Sequence, residues 1–123
     1  MNNEFMKGFI VGIIEGEGHI SYSVPSARQI IITNTDLNLL ITTKQFLNFL
    51  NISCSIKEYN KDTIKKHPHW NKAFRIFITH RENFEKLYSL YTGIDTRKKS
   101  ELHKLLSSYI RQKYKPRKVR GTA

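Results

Sequence analysis

Cysteine is almost missing from this sequence, with Cys54 alone among 123 residues. An internal disulfide is therefore excluded, and so is any paired-thiolate zinc or redox centre. Long apolar runs are missing too. None approaches the roughly 18–20 residues that a membrane span needs, and the opening Met1-Asn2-Asn3-Glu4 lacks the basic flank of a signal peptide. A soluble, intracellular protein is expected. Acids are scarce: 10 Asp and Glu stand against 21 Lys and Arg, a formal charge of +11 with a pI near 9.9. Such an excess attracts polyanions, and nucleic acid is the expected partner. A membrane-surface protein would gather its cations on one amphipathic helix, whereas here they are spread over predicted strands, loops and tail.

What the sequence does hold is enough to fold. Apolar types make up 39% and aromatics 11%, sufficient for one core in a chain of this length. Phe5, Phe9, Ile10, Ile13 and Ile14 recur at helical spacing between Glu4 and Ile14, with Asn2 or Asn3 as N-cap and a stop expected at Gly16-Glu17-Gly18. Gly8 and Gly12 stack on one face of that helix and leave a groove where another backbone can approach. Next, Ile20, Tyr22 and Val24 alternate with polar residues in a first strand, Pro25-Ser26 turns the chain, and 28–33 forms a second. Asn34-Thr35-Asp36 caps a helix running from Leu37 to Leu50. Ile52, Cys54 and Ile56 mark a third strand, with Cys54 packed inward, and Phe74, Ile76 and Ile78 a fourth. Between them, 60–71 reads as a long basic loop. Helices follow over 82–91 and 96–114, broken at Gly93, and the domain is placed at 1–114 with a loose basic tail at 115–123. The order αββαββαα predicts an α+β domain, an antiparallel sheet with helices on one face.

Chemistry concentrates at the end of the first helix. Glu15 and Glu17 flank Gly16 where a helix C-terminus already carries partial negative charge, an arrangement that stability alone disfavours. Carboxylate and backbone carbonyl oxygens there make a magnesium or calcium site. The plain alternative is a glycine helix stop with two solvated glutamates.

The stretch Phe9-Ile10-Val11-Gly12-Ile13-Ile14-Glu15-Gly16-Glu17-Gly18 resembles the signature of the LAGLIDADG homing endonuclease family, position for position from Ile10 to Gly18, with glutamate twice replacing aspartate. The Asn-Thr-Asp step before the second helix and the Lys98-Lys99 pair entering the last one resemble it also, so the likeness runs from about Phe5 to Leu106. The resemblance implies a saddle-shaped antiparallel sheet lying in the DNA major groove, and a homodimer closed through the motif helices, with Gly8, Gly12 and Glu15 at the interface. It implies that Glu17 holds Mg2+, which Mn2+ can replace, with the Gly16 carbonyl as second ligand. It further implies that Lys98 or Lys99 polarises the phosphate or its attacking water. Asn34 sits near a glutamine position of the family, although its place before a helix reads as a cap.

Side chains alternating outward from such a sheet read bases in the major groove, and His19, Ser21, Ser23, Arg28, Ser53, Ser55, Lys57, Tyr59, Lys72 and Arg75 are expected there. Lys65 and Lys66 in the basic loop are expected to grip phosphates. His67 and His69 are read as DNA or solvent contacts and Trp70 as a core anchor. The expected activity is a metal-dependent double-strand break in a long, near-palindromic DNA site, as in intron homing. The alternatives are a non-cleaving maturase that binds RNA, a DNA-binding regulator on the same scaffold, and a generic basic binding module.

Overall fold

A computed structural model describes residues 2–22, 27–59, 61–67 and 71–114. Ser23, the Pro25-Ser26 turn, His69, Trp70 and the tail 115–123 lie outside the described residues. The elements run α1 (Asn3–Glu17), β1 (Gly18–Ser21), β2 (Gln29–Asn34), α2 (Leu37–Phe49), β3 (Ser55–Glu58), α3 (Lys61–Lys66), β4 (Phe74–Ile78), α4 (Arg81–Ser89) and α5 (Arg97–Tyr114). The four strands form one antiparallel sheet in the order β1-β2-β4-β3.

The alternation read from the sequence sets the two faces of this sheet. Ile20, Ile30, Ile32, Ile76 and Ile78 are buried in one cluster with Met6, Ile10 and Ile14 of α1, Leu40 and Leu47 of α2, Phe84 and Leu87 of α4, and Leu102 and Leu105 of α5. Each such side chain contributes roughly 1.5–3 kcal/mol by leaving water, and together they fix the helices to that face. Among the described residues no helix is long and apolar enough to cross a membrane.

Capping sets the helix starts. The Asn2 side chain accepts from the Glu4 N–H at 2.8 Å, and that of Asp36 from the Leu39 N–H at 3.2 Å. Asn34 accepts from the Asp36 N–H at 2.8 Å, which is the local turn role and not a water-ordering one. At the other end of α2, Asn51 takes a left-handed φ of 63° and the Ile52 N–H returns to the Leu47 carbonyl.

Two expectations about the strands need correction. The third strand begins at Ser55, not Ile52, because the amide of Asn83 stands where a neighbouring strand would. It donates to the Ser53 carbonyl and accepts from the Ser53 N–H, both at 3.3 Å, and also donates to the Ser53 hydroxyl. The basic loop contains the short helix α3, a run free of glycine and proline that ends ahead of Pro68.

Candidate functional site

Helix α1 passes into β1 with no intervening loop, and Gly18 makes that junction possible. A Cβ on Gly18 would stand 2.6 Å from the Ile14 carbonyl oxygen, a backbone atom that cannot step aside. No basic residue lies in the last turn of α1. The missing charge comes from α5: the Lys98 ammonium donates to the carbonyls of Ile14 (2.9 Å), Glu15 (2.9 Å) and Gly18 (2.7 Å). Its three N–H groups are thereby engaged, and the negative end of the helix dipole is neutralised by a cation 80 or more residues away.

The two motif acids have separate environments. Glu15 is half-buried and accepts hydrogen bonds from the Tyr91 and Thr96 hydroxyls, both at 2.9 Å. Thr96 in turn caps α5 by accepting from the Lys99 N–H at 3.1 Å. Burial first, then the bond to Glu15 and its charge, push the Tyr91 phenol well above its ordinary value. Glu15 therefore ties α1 to the start of α5 within one chain. Glu17 is exposed, and no hydrogen bond or ion pair joins its side chain to the described residues. Lys98 takes the carbonyls on either side of Gly16 and Glu17 and leaves theirs aside. Lys99 points elsewhere, toward Asp95 at 3.5 Å and the Tyr88 ring, so of the two lysines only Lys98 meets the motif.

Beside Glu17 begins the face of the sheet turned away from the helices. Three rows cross it. Nearest the α1 terminus, Thr33 pairs with Arg75 and Arg75 with Lys57, and the Arg75 guanidinium donates to Thr33 and lies 3.8 Å over the Tyr59 ring. The middle row is His19, Ile31, Phe77 and Ser55, and the third begins with Ser21 and Gln29. Lys65, Lys66, His67 and Lys72 are exposed on the segment beyond.

Arg28 does not join this face. Its guanidinium donates to the Ser108 hydroxyl (2.8 Å) and carbonyl (3.1 Å) and stacks 4.0 Å from the Tyr109 ring of α5. The alternation itself carried the signal, since Arg28 shares the phase of Ile30 and Ile32, whereas Gln29, Ile31 and Thr33 hold the open phase. Ser53, on the expected phase, is engaged by Asn83.

On α1 itself, Gly8, Gly12 and Gly16 are exposed, and a Cβ on any of them would meet nothing within 4 Å among the described residues. Phe5, 58% exposed, flanks this stripe and packs edge-on against Phe46 at 6.0 Å.

A family model described as LAGLIDADG-like domain matches residues 4–91, from the first turn of α1 to the end of α4. The chain belongs to the LAGLIDADG family. That family comprises DNA-binding homing endonucleases and related maturases, and its nucleases typically use divalent metals. No curated protein and no solved structure matches this chain. The LAGLIDADG motif occupies 10–18, and Thr96, Lys98 and the rest of α5 lie beyond the matched stretch. Among the described residues no three His, Cys, Asp or Glu side chains form a ready cage for a metal. Magnesium requires none, since it keeps several waters and takes one or two carboxylates together with substrate phosphates, and the exposed Glu17 is such a donor.

Proposed function

We propose that this LAGLIDADG protein is a site-specific DNA endonuclease of the homing type that acts as a symmetric dimer and makes a magnesium-dependent double-strand break. The observation that carries the proposal is the contrast between the two motif acids: Glu15 is saturated within its own chain, and Glu17 is presented unengaged where the open sheet face begins. Glu17 and the Gly16 carbonyl would hold the cation. A bound divalent ion supplies Lewis acidity, lowering the pKa of an attacking water and offsetting charge on the leaving oxygen. Lys98 serves as a positioning residue that fixes the backbone carrying Glu17. Arg75, Lys57 and Lys72 provide cations for the duplex, and Lys65 with Lys66 grip phosphates outside the read bases. One acid per chain and two strands to cut call for two chains, and the open Gly8/Gly12/Gly16 stripe gives a second copy a backbone-to-backbone approach.

The test is incubation of the protein with a plasmid carrying its uninterrupted insertion locus, with and without Mg2+. Linearisation is expected only with the metal, and Mn2+ should replace it. Glu17→Gln should lower the cleavage rate by about three orders of magnitude, as several kcal/mol of charge stabilisation disappear. DNA binding should be retained. Cleavage by Glu17→Gln at the wild-type rate would remove the assignment and favour a non-cleaving maturase or regulator.

A further inference from the structure

The open face of the sheet is not uniform along its strands. Its end nearest Glu17 is cationic, and its far end is hollowed. A cleft of about 460 Å3 lies there, with Gln29, Phe77, Thr79 and His80 among the residues that line it and Lys57 of the first row reaching its edge. His80 is unusual on two counts. Its φ of 78° with ψ 134° is a conformation that side-chain-bearing residues seldom adopt, yet the position is not glycine. The turn is also firmly held: the His80 carbonyl accepts from the N–H groups of Asn83 and Phe84, and the Asn83 amide donates to the Thr79 carbonyl at 2.8 Å. His80 precedes α4, but its side chain makes no capping hydrogen bond there and is exposed at the cleft. A strained backbone is thus maintained around an imidazole that makes no hydrogen bond or ion pair among the described residues.

We propose that this cleft is a base-reading subsite, with Gln29 and His80 as specificity-determining residues for an A·T pair. The Gln29 amide offers one acceptor and one donor edge, the pairing that matches the N6 and N7 atoms of adenine in the major groove. The Phe77 ring beside it, with the Lys57 ammonium 5.9 Å from its centroid, offers apolar surface to the C5 methyl of the paired thymine. His80 closes the rim and selects the base pair that is seated. Arg75 and Lys57 then supply affinity, and Gln29 with His80 supplies discrimination. The proposal rests on the reading of the sheet as a DNA-binding face.

Selection from a randomised duplex library with the full chain, followed by binding to the selected site, tests it. Gln29→Ala should relax the preference at one base pair per half-site by roughly tenfold and leave the other positions unchanged. His80→Gly should relax the same or the adjoining position while its thermal midpoint stays level or rises, because glycine accepts a positive φ without strain. Replacing thymine by uracil at the affected pair, which requires no protein variant, should weaken wild-type binding several-fold. Retention of wild-type preferences by both variants, equal weakening on all sequences, or a fall in the His80→Gly midpoint with discrimination intact would overturn the subsite. A wild-type protein that binds every duplex alike would defeat the endonuclease reading as well. Selective binding that neither substitution alters would defeat only the subsite.

Discussion

Helix α1 is finished at one end and unfinished along one side. Its last turn receives Lys98 on three carbonyls, Tyr91 and Thr96 on the Glu15 carboxylate, and the tight return at Gly18. Its glycine stripe receives nothing from the described residues, and Cβ atoms there would meet none of them within 4 Å. The same residue type serves opposite purposes within one motif. Gly18 is small because its own chain crowds it, whereas nothing among the described residues requires Gly12 to be small. A glycine inside a helix costs about 1 kcal/mol relative to alanine, so the stripe lowers the stability of the single chain. Under the proposed function that loss is offset on the partner helix.

Substitution at the two kinds of glycine separates them. Gly18→Ala should destabilise the protein by about 3 kcal/mol in urea denaturation, since the added carbon meets the Ile14 carbonyl oxygen at 2.6 Å and the junction must distort. Gly12→Leu should leave the monomer as stable or slightly more so, and yet weaken self-association by about a hundredfold, through steric overpacking across a two-fold axis. Sedimentation across a concentration series measures the second effect. A Gly12→Leu protein that associates like wild type would show that α1 is not the dimer face, and a Gly18→Ala protein of unchanged stability would show that the junction is not tight.

Lys98 should matter less for the fold than Gly18 and more than any exposed lysine. Lys98→Met preserves much of the stem but removes the ammonium from three carbonyls at a helix terminus, for an expected loss of about 2 kcal/mol. Lys99→Met removes a 3.5 Å pair with a fully exposed Asp95 and should cost under about 1 kcal/mol. Equal costs for the two would dissolve the distinction between them.

That distinction was out of reach of the sequence. Lys98 and Lys99 are neighbours on one helix, and which of them reaches α1 depends on how α5 is rotated by the burial of Leu102 and Leu105. The same holds for Glu15, whose partners come from positions 91 and 96, and for Ser53, whose backbone is satisfied by an amide 30 residues away. Local patterns were legible: the periodicity of α1 and α2, the alternation of β2 and β4, and the acid-glycine motif, which the family match supports. Even so, a strand phase had to be applied consistently. The charge of Arg28 suggests the open face, although its phase is that of the buried isoleucines, and Gln29, Ile31 and Thr33 hold the open phase. Long-range side-chain bonds leave no periodic trace in a sequence, and it is these that define the end of α1.

An effect smaller than the loss of Lys98 concerns pH at that same end. The Tyr91 phenol donates to Glu15 at 2.9 Å from a buried position, and burial together with the nearby carboxylate raises its pKa above the ordinary 10.0. A group whose pKa is raised in the folded state stabilises the fold fully below its unfolded pKa and progressively less as pH rises beyond it. Wild type should accordingly be more stable than Tyr91→Phe at pH 8, by about 1.5 kcal/mol for one hydrogen bond to a charged acceptor. Above pH 10 the gap should narrow, because the unfolded phenol ionises and the folded one resists doing so. Urea midpoints of the two proteins between pH 8 and 11 measure the gap directly, with the many lysines common to both. A gap that stays constant to pH 11 would mean that Tyr91 reaches Glu15 too loosely to latch α1 to the start of α5. The finished end of the helix would then rest on Lys98 and Thr96 alone.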